Sequence, residues 1–130
     1  MSVDELMFAA TKGSSEVKKM LKKGMDINTT DNEGITALML AVASGNLKAT
    51  QRLIKAGANV NITDNCGSTA LMIAAERGYS KIVKELIKAG ADVDAKDNYG
   101  NTSLDFAEEK NNSKVIKVLK KEKKSFFSLF

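Results

Sequence analysis

At 130 residues and 43% hydrophobic content, the chain is long enough for one hydrophobic core and too apolar for wholesale disorder. It has 20 Lys and Arg against 16 Asp and Glu, one Cys and no His; this removes the commonest general base and metal ligand, and it excludes an internal disulfide, a thiol–imidazole pair or a Cys/His zinc site made from this chain alone. No run approaches the roughly 18 apolar residues of a spanning helix, and the opening MSVDELMF is acidic where a secretion signal is basic, so the expectation is an intracellular, cytoplasmic, non-enzymatic protein without cofactor or metal, a secreted effector being left open.

In chain order, Ser2 to Glu5 reads as a capping box that starts a first helix. Two phrases follow, AATKG at 9–13 and KKGMDIN at 22–28, which return later as AAERG at 74–78 and KAGANVN at 55–61. From Asp31 the repetition is plain. Residues 31–63 and 64–96 are identical at 17 of 33 positions, where ordinary residue frequencies give about two. A third copy from Asp97 keeps Gly100, Thr102, Leu104, Ala107 and Leu119.

Each copy parses into two short helices and a turn. Thr36, Thr69 and Thr102 stand where an N-cap is needed, ahead of Leu and Ala at helical spacing. Gly45 and Gly78 close that helix, and Asn111, the best-tolerated substitute in a left-handed conformation, closes the third. A second helix is predicted over 47–55, 80–88 and 113–121, with Leu53, Ile54, Leu86 and Ile87 on its buried side. Between units, DNEG, DNCG and DNYG spell a turn in which Asp bonds nearby backbone and Gly supplies positive φ. One helix pair cannot bury its apolar stripe alone, so units must stack and share a continuous core. At 108 a Glu replaces the Ala or Val of the inner copies, and at 120 a Lys replaces Ile, which suits a last unit with a wet outer face.

The phrase D-x-x-G-x-T-x-L-x-x-A-x-x-x-G, followed by LIKAGA and Val, at a 33-residue period, resembles the ankyrin repeat. The resemblance implies an all-α solenoid of stacked helix-turn-helix units with β-hairpin-like turns between them. It divides the chain into an N-terminal capping repeat (1–30), repeats at 31–63 and 64–96, a C-terminal capping repeat (97–124) and an aromatic tail (125–130). Where that family usually has T-P-L-H, this chain has TALM, TALM and TSLD; the Pro that preorganises the first turn and the His that ties neighbouring units are both missing.

The repeated letters are scaffold, so the letters that change are the candidate partner site. They are Glu33, Cys66 and Tyr99; Ile35, Ser68 and Asn101; Glu76 and Glu109; and Ser44, Arg77 and Lys110. The resemblance places these on a concave face and implies recognition of a protein or peptide, with the chain acting as a monomer and no small-molecule substrate. Tyr99, Ile35 and Arg77 are the expected energetic anchors by residue type. Segments 14–23, 47–56, 80–89 and 113–124 hold 16 of the 20 basic residues and 3 of the 16 acidic ones, leaving a balance of −9 elsewhere. The expected partner segment is therefore basic.

The alternative is a membrane-surface or nucleic-acid binder that uses the lysine-rich helices and tail. Nucleic acid fits less well, because nearly all the cations are Lys and aromatic platforms are scarce. The tail SFFSLF follows a lysine run; the favoured reading extends the last helix, so that Leu119, Lys123, Phe126, Phe127 and Phe130 share a face and the Phe cluster folds back on the last unit, and a membrane or partner anchor is the other. DVDAKDNYG at 92–100 superficially resembles a calcium loop, but Lys96 occupies a ligand position and the sixth residue is not Gly. No phosphate-binding glycine loop occurs. Cys66, without an activating neighbour in sequence, reads as a turn residue.

Overall fold

The computed structural model describes the backbone of residues 3–128 and the side chains of residues 5–123. Among the described residues there are eight helices: α1 (Val3–Lys12), α2 (Ser14–Lys22), α3 (Ala37–Ala43), α4 (Leu47–Lys55), α5 (Ala70–Arg77), α6 (Ser80–Lys88), α7 (Ser103–Glu109) and α8 (Ser113–Ser128). Odd-numbered helices pack on odd-numbered neighbours, even on even, and each odd helix packs on the even helix that follows it. The result is two helix layers with a shared core between them.

The local signals act as expected. Thr36, Thr69 and Thr102 are N-caps in extended conformation, each hydroxyl accepting a hydrogen bond from the backbone N–H three residues on. After α7 the chain turns left-handed at Asn111 (φ 55°), the one non-glycine residue among those described with positive φ. The helices predicted over 47–55 and 80–88 have those bounds. The third, placed at 113–121 by the repeat, continues to Ser128, as the favoured reading of the tail expects. The reason is compositional: inner units reach AG after the equivalent lysine, whereas Lys121 is followed by EKKS, with no glycine to end the helix. Ser2 of the expected capping box lies outside the described residues.

The seam is made of small and branched side chains. Ala41, Ala74 and Ala107 are fully buried and let successive odd helices approach closely, while Leu53, Leu86 and Leu119 fill the space between layers. One hydrophobic cluster runs from Leu6 to Leu119 through every unit. Met39 and Met72 stand where the resemblance called for His, and both are buried in the seam. Truncating a residue such as Leu86 to Ala is expected to cost about 2–5 kcal/mol.

Without that His, two ladders of asparagine tie the units together. At the turn tips, the Asn65 N–H donates to the Glu33 carbonyl at 2.9 Å and the Asn98 N–H to the Cys66 carbonyl at 3.0 Å. The Asn65 and Asn98 amides donate likewise to the Asn32 and Asn65 carbonyls. In the loops after the even helices, Asn28 Oδ1 accepts from the Asn59 N–H and Asn61 Oδ1 from the Asp92 N–H, each at 2.8 Å. The next residue at this stride is Asp94, whose carboxylate is met by Lys123 of α8 at 3.4 Å. The expected hairpin character survives as these bonded turns, with β-pairing among the described residues confined to a single bridge between Thr30 and Thr36.

Candidate functional site

Each turn tip is built on one aspartate. Asp31 Oδ1 accepts from the Glu33 and Ile35 N–H groups, Asp64 Oδ1 from Cys66 and Ser68, and Asp97 Oδ1 from Tyr99 and Asn101, at 2.8–2.9 Å throughout. These are the residues that vary from unit to unit. The carboxylate bonds fix the backbone beneath them and the tip ladder fixes each turn against the next, so the side chains of Glu33, Cys66 and Tyr99 stand exposed on a rigid support. Tyr99 is the most prominent, with 85% of its surface exposed.

The second row lies at the C-terminal ends of the odd helices. Glu76, Arg77, Glu109 and Lys110 are exposed there. Ser44 is exposed too, but its hydroxyl donates back to the Leu40 carbonyl at 2.8 Å. Ser68 is half-buried and Asn101 exposed. Ile35 is half-buried and packs against the core cluster, so much of its apolar surface is already covered. Tyr99 and Arg77 retain the exposure that an anchor needs.

The same register reaches further than the sequence reading took it. AATKG aligns with AAERG, which puts Thr11 and Lys12 of α1 at the positions of Glu76 and Arg77; both are exposed. Phe8, one turn earlier on α1, is 62% exposed, and the Lys12 ammonium sits 5.0 Å from its ring centroid. The alignment was visible in the sequence, whereas the exposure of Phe8 was not. Its counterparts Leu40, Ile73 and Phe106 are all half-buried against the core.

The acidity of this side has a structural origin in good part. Asp31, Asp64 and Asp97 hold the tips, Asp26 and Asp92 accept backbone N–H bonds in the loops after α2 and α6, and Asp94 is paired with Lys123. Asp105 completes a capping box on α7, accepting from the Thr102 N–H at 2.9 Å while its own N–H donates to the Thr102 hydroxyl. That backbone bond holds its carboxyl below the usual carboxylate range, opposed by slight desolvation and reinforced by the Thr102 hydroxyl, Lys123 and Lys96. The motif was legible as Thr102-x-x-Asp105, although the sequence reading treated TSLD only as a departure from T-P-L-H. For direct contact with a partner, the carboxylates left are chiefly Glu33, Glu76, Glu108 and Glu109.

The even helices form the opposite, basic side. Lys22, Lys55, Lys88 and Lys121 recur at the 33-residue stride in the final turn of each register, and Lys48, Lys81 and Lys114 recur two turns earlier; all are exposed. Two shallow grooves lie between neighbouring even helices, one bounded by α2 and α4, the other by α6 and α8. Phe126, Phe127 and Phe130, the centre of the tail question, have side chains outside the described residues. No described helix is long and apolar enough to cross a membrane, and no three His, Cys, Asp or Glu side chains among the described residues converge as a metal site would require. The segment resembling a calcium loop is occupied instead by the Asp92 and Asp97 turn bonds.

In comparison with known proteins, the family model described as ankyrin repeats (3 copies) matches residues 5–64 and 46–127. A search of curated proteins found no match.

Proposed function

The chain belongs to the ankyrin-repeat family, whose members are generally protein–protein interaction modules, and on that premise we propose that it binds a protein or peptide segment along its turn tips and the C-terminal ends of its odd helices. One observation carries this reading. At every tip the backbone is pinned by an aspartate carboxylate and by the neighbouring turn, while the side chain at the centre is exposed and different in each unit. Such a surface loses little conformational freedom when a partner docks. Tyr99 and Arg77 are the anchors, and Glu33, Cys66, Asn101, Glu76, Glu109 and Lys110 line the rest, with Ile35, Ser44 and Ser68 contributing at the edges. Thr11, Lys12 and Phe8 extend the row by one unit.

The partner segment is basic in this reading. Although most of the aspartates are engaged in turns, they remain charged, and long-range steering depends on formal charge rather than on hydrogen-bond availability. Contact specificity then comes from Glu33, Glu76, Glu108 and Glu109. Ankyrin repeats are typically non-enzymatic, and the role assigned to this chain is a binding scaffold acting as a monomer.

Selection from a displayed peptide library tests the proposal. Peptides that bind the full chain should be enriched in Lys and Arg, and should lose about 10- to 100-fold in affinity against a Glu76→Ala, Arg77→Ala, Tyr99→Ala variant, as removal of two or three interface anchors implies. Peptides that bind the variant undiminished would place the recognition surface elsewhere.

A further inference from the structure

The groove between α2 and α4 combines features that the rest of the basic side lacks. It is lined by Lys18, Leu21, Lys22, Arg52, Lys55 and Ala56, and a polar pocket sharing Arg52 and Lys55 prolongs it toward Lys48 and Ser14. No carboxylate lines either part, whereas the corresponding groove between α6 and α8 includes Glu122. Arg52, the one arginine on the even helices, is half-buried at the wall of the groove, and neither ion pair among the described residues involves it. Glu16, the only acid on α2, is engaged with Lys19. Cations therefore stand on both helices of the groove, and Leu21 and Ala56 complete its lining.

We propose that this groove binds an acidic, amphipathic protein segment, with carboxylates facing the two walls and an apolar side chain seated on Leu21. The partner's chemistry follows from three properties. Unpaired Lys18, Lys22, Arg52 and Lys55 call for anionic groups, and the planar Arg52 guanidinium suits a carboxylate held in bidentate fashion. The lining also includes the apolar Leu21 and Ala56, so a ligand that matches it must bring an apolar side chain as well as anionic groups. A bilayer surface presents its headgroups outermost and holds its apolar part behind them, and the bases of a nucleic-acid strand stack on aromatic platforms, of which the groove lining has none. The groove runs from Lys48 to Ala56, about 12 Å at helical rise, which accommodates two turns of helix with acidic residues flanking a leucine. This surface lies on the opposite layer from the turn tips, so a basic and an acidic segment could be held at once and the chain would act as an adaptor.

The test uses the full chain and a fluorescent synthetic helix in which leucines at every fourth position are flanked by glutamates, read by anisotropy. Saturable binding is expected, with roughly tenfold or greater loss in a Lys18→Ala, Lys55→Ala variant, whose changes are both at exposed positions, and a smaller loss in Arg52→Lys. Lys88→Ala with Lys121→Ala on the other groove, and Glu76→Ala with Arg77→Ala on the opposite layer, should leave binding unchanged; this separates failure here from failure of the turn-tip site. Equal binding of a glutamate peptide without leucine would reduce the groove to a charge patch and overturn the proposal. So would tighter binding of phosphatidylserine vesicles or of a single-stranded oligonucleotide with the same dependence on Lys18 and Lys55. Salt-sensitive self-association of the chain abolished by that variant would likewise overturn it, assigning the groove to the acidic side of a second copy.

Discussion

A Gly67→Ala substitution probes the tip ladder directly, because the molecule supplies its own control. Gly67 and Gly100 have nearly the same backbone conformation, φ 79° and 83°, so an added Cβ meets a similar left-handed penalty at each, roughly 1–2 kcal/mol. Their surroundings differ. A Cβ on Gly100 would meet nothing within 4 Å, whereas one on Gly67 would lie 2.6 Å from Asn98 Oδ1, 2.8 Å from Asn98 N and 3.1 Å from Asp97 Cα. Two of those atoms are backbone, so the following turn must move away. It then releases the Asn98 N–H bond to the Cys66 carbonyl and the Asn98 amide bond to the Asn65 carbonyl. At about 1 kcal/mol for each bond, Gly67→Ala should cost about 2 kcal/mol more than Gly100→Ala. Urea unfolding followed by far-ultraviolet circular dichroism measures both, and a slope unchanged from the parent would show that the cooperative unit is intact. Equal losses for the two variants would refute the idea that the tips hold the units together.

Other consequences can be measured in the same way. Asp105 has its folded-state pKa below the unfolded value, so its stabilising contribution is present above the unfolded carboxylate pKa and is lost as pH falls through the folded one. Asp105→Asn, which keeps a neutral acceptor for the Thr102 N–H, should therefore lower the urea midpoint modestly near neutrality, with the difference from the parent vanishing as pH falls through the folded pKa. The Lys123–Asp94 pair is largely exposed on the aspartate side, so a double-mutant cycle with alanine at both positions should give a coupling of only about 0.2–1 kcal/mol, falling further in high salt. Asn61→Ala removes the acceptor of the Asp92 N–H and the donor to the Gly90 carbonyl, the two bonds by which this side chain ties one inner unit to the next; a loss of about 1–2 kcal/mol in thermal or urea unfolding is expected. Truncation after Lys124 bears on the tail: a fall in melting temperature would show that the aromatic end packs on the last unit, and an unchanged one would not.

Much of this architecture could be read from letters because its determinants are local and repeated. A threonine that caps, an aspartate that accepts from two N–H groups ahead of it, and a glycine or Asn111 in the left-handed region act within a few residues, so every copy of the phrase announces the same geometry. The 33-residue period then implies stacking, since no single helix pair can cover its own apolar stripe. The same register located the candidate rows at 33/66/99 and 44/77/110. Other properties had to wait for the fold, because they depend on distances between units. The alignment shows that Asn65 and Asn98 recur, but only the packed turns reveal that they bond across to the preceding tip. Ile35 looked as available as Tyr99 until the core covered part of one and left the other in solvent. The turn role of Asp31, Asp64 and Asp97 was already legible, whereas the pairing of Asp94 with Lys123 depends on where α8 lies, and the groove that Arg52 lines without a carboxylate exists only once α2 and α4 are side by side. Sequence determined what each unit becomes, since backbone conformation is set by adjacent residues; the tertiary structure decided which side chains remain free, since burial and pairing are settled by whatever the next unit brings into contact.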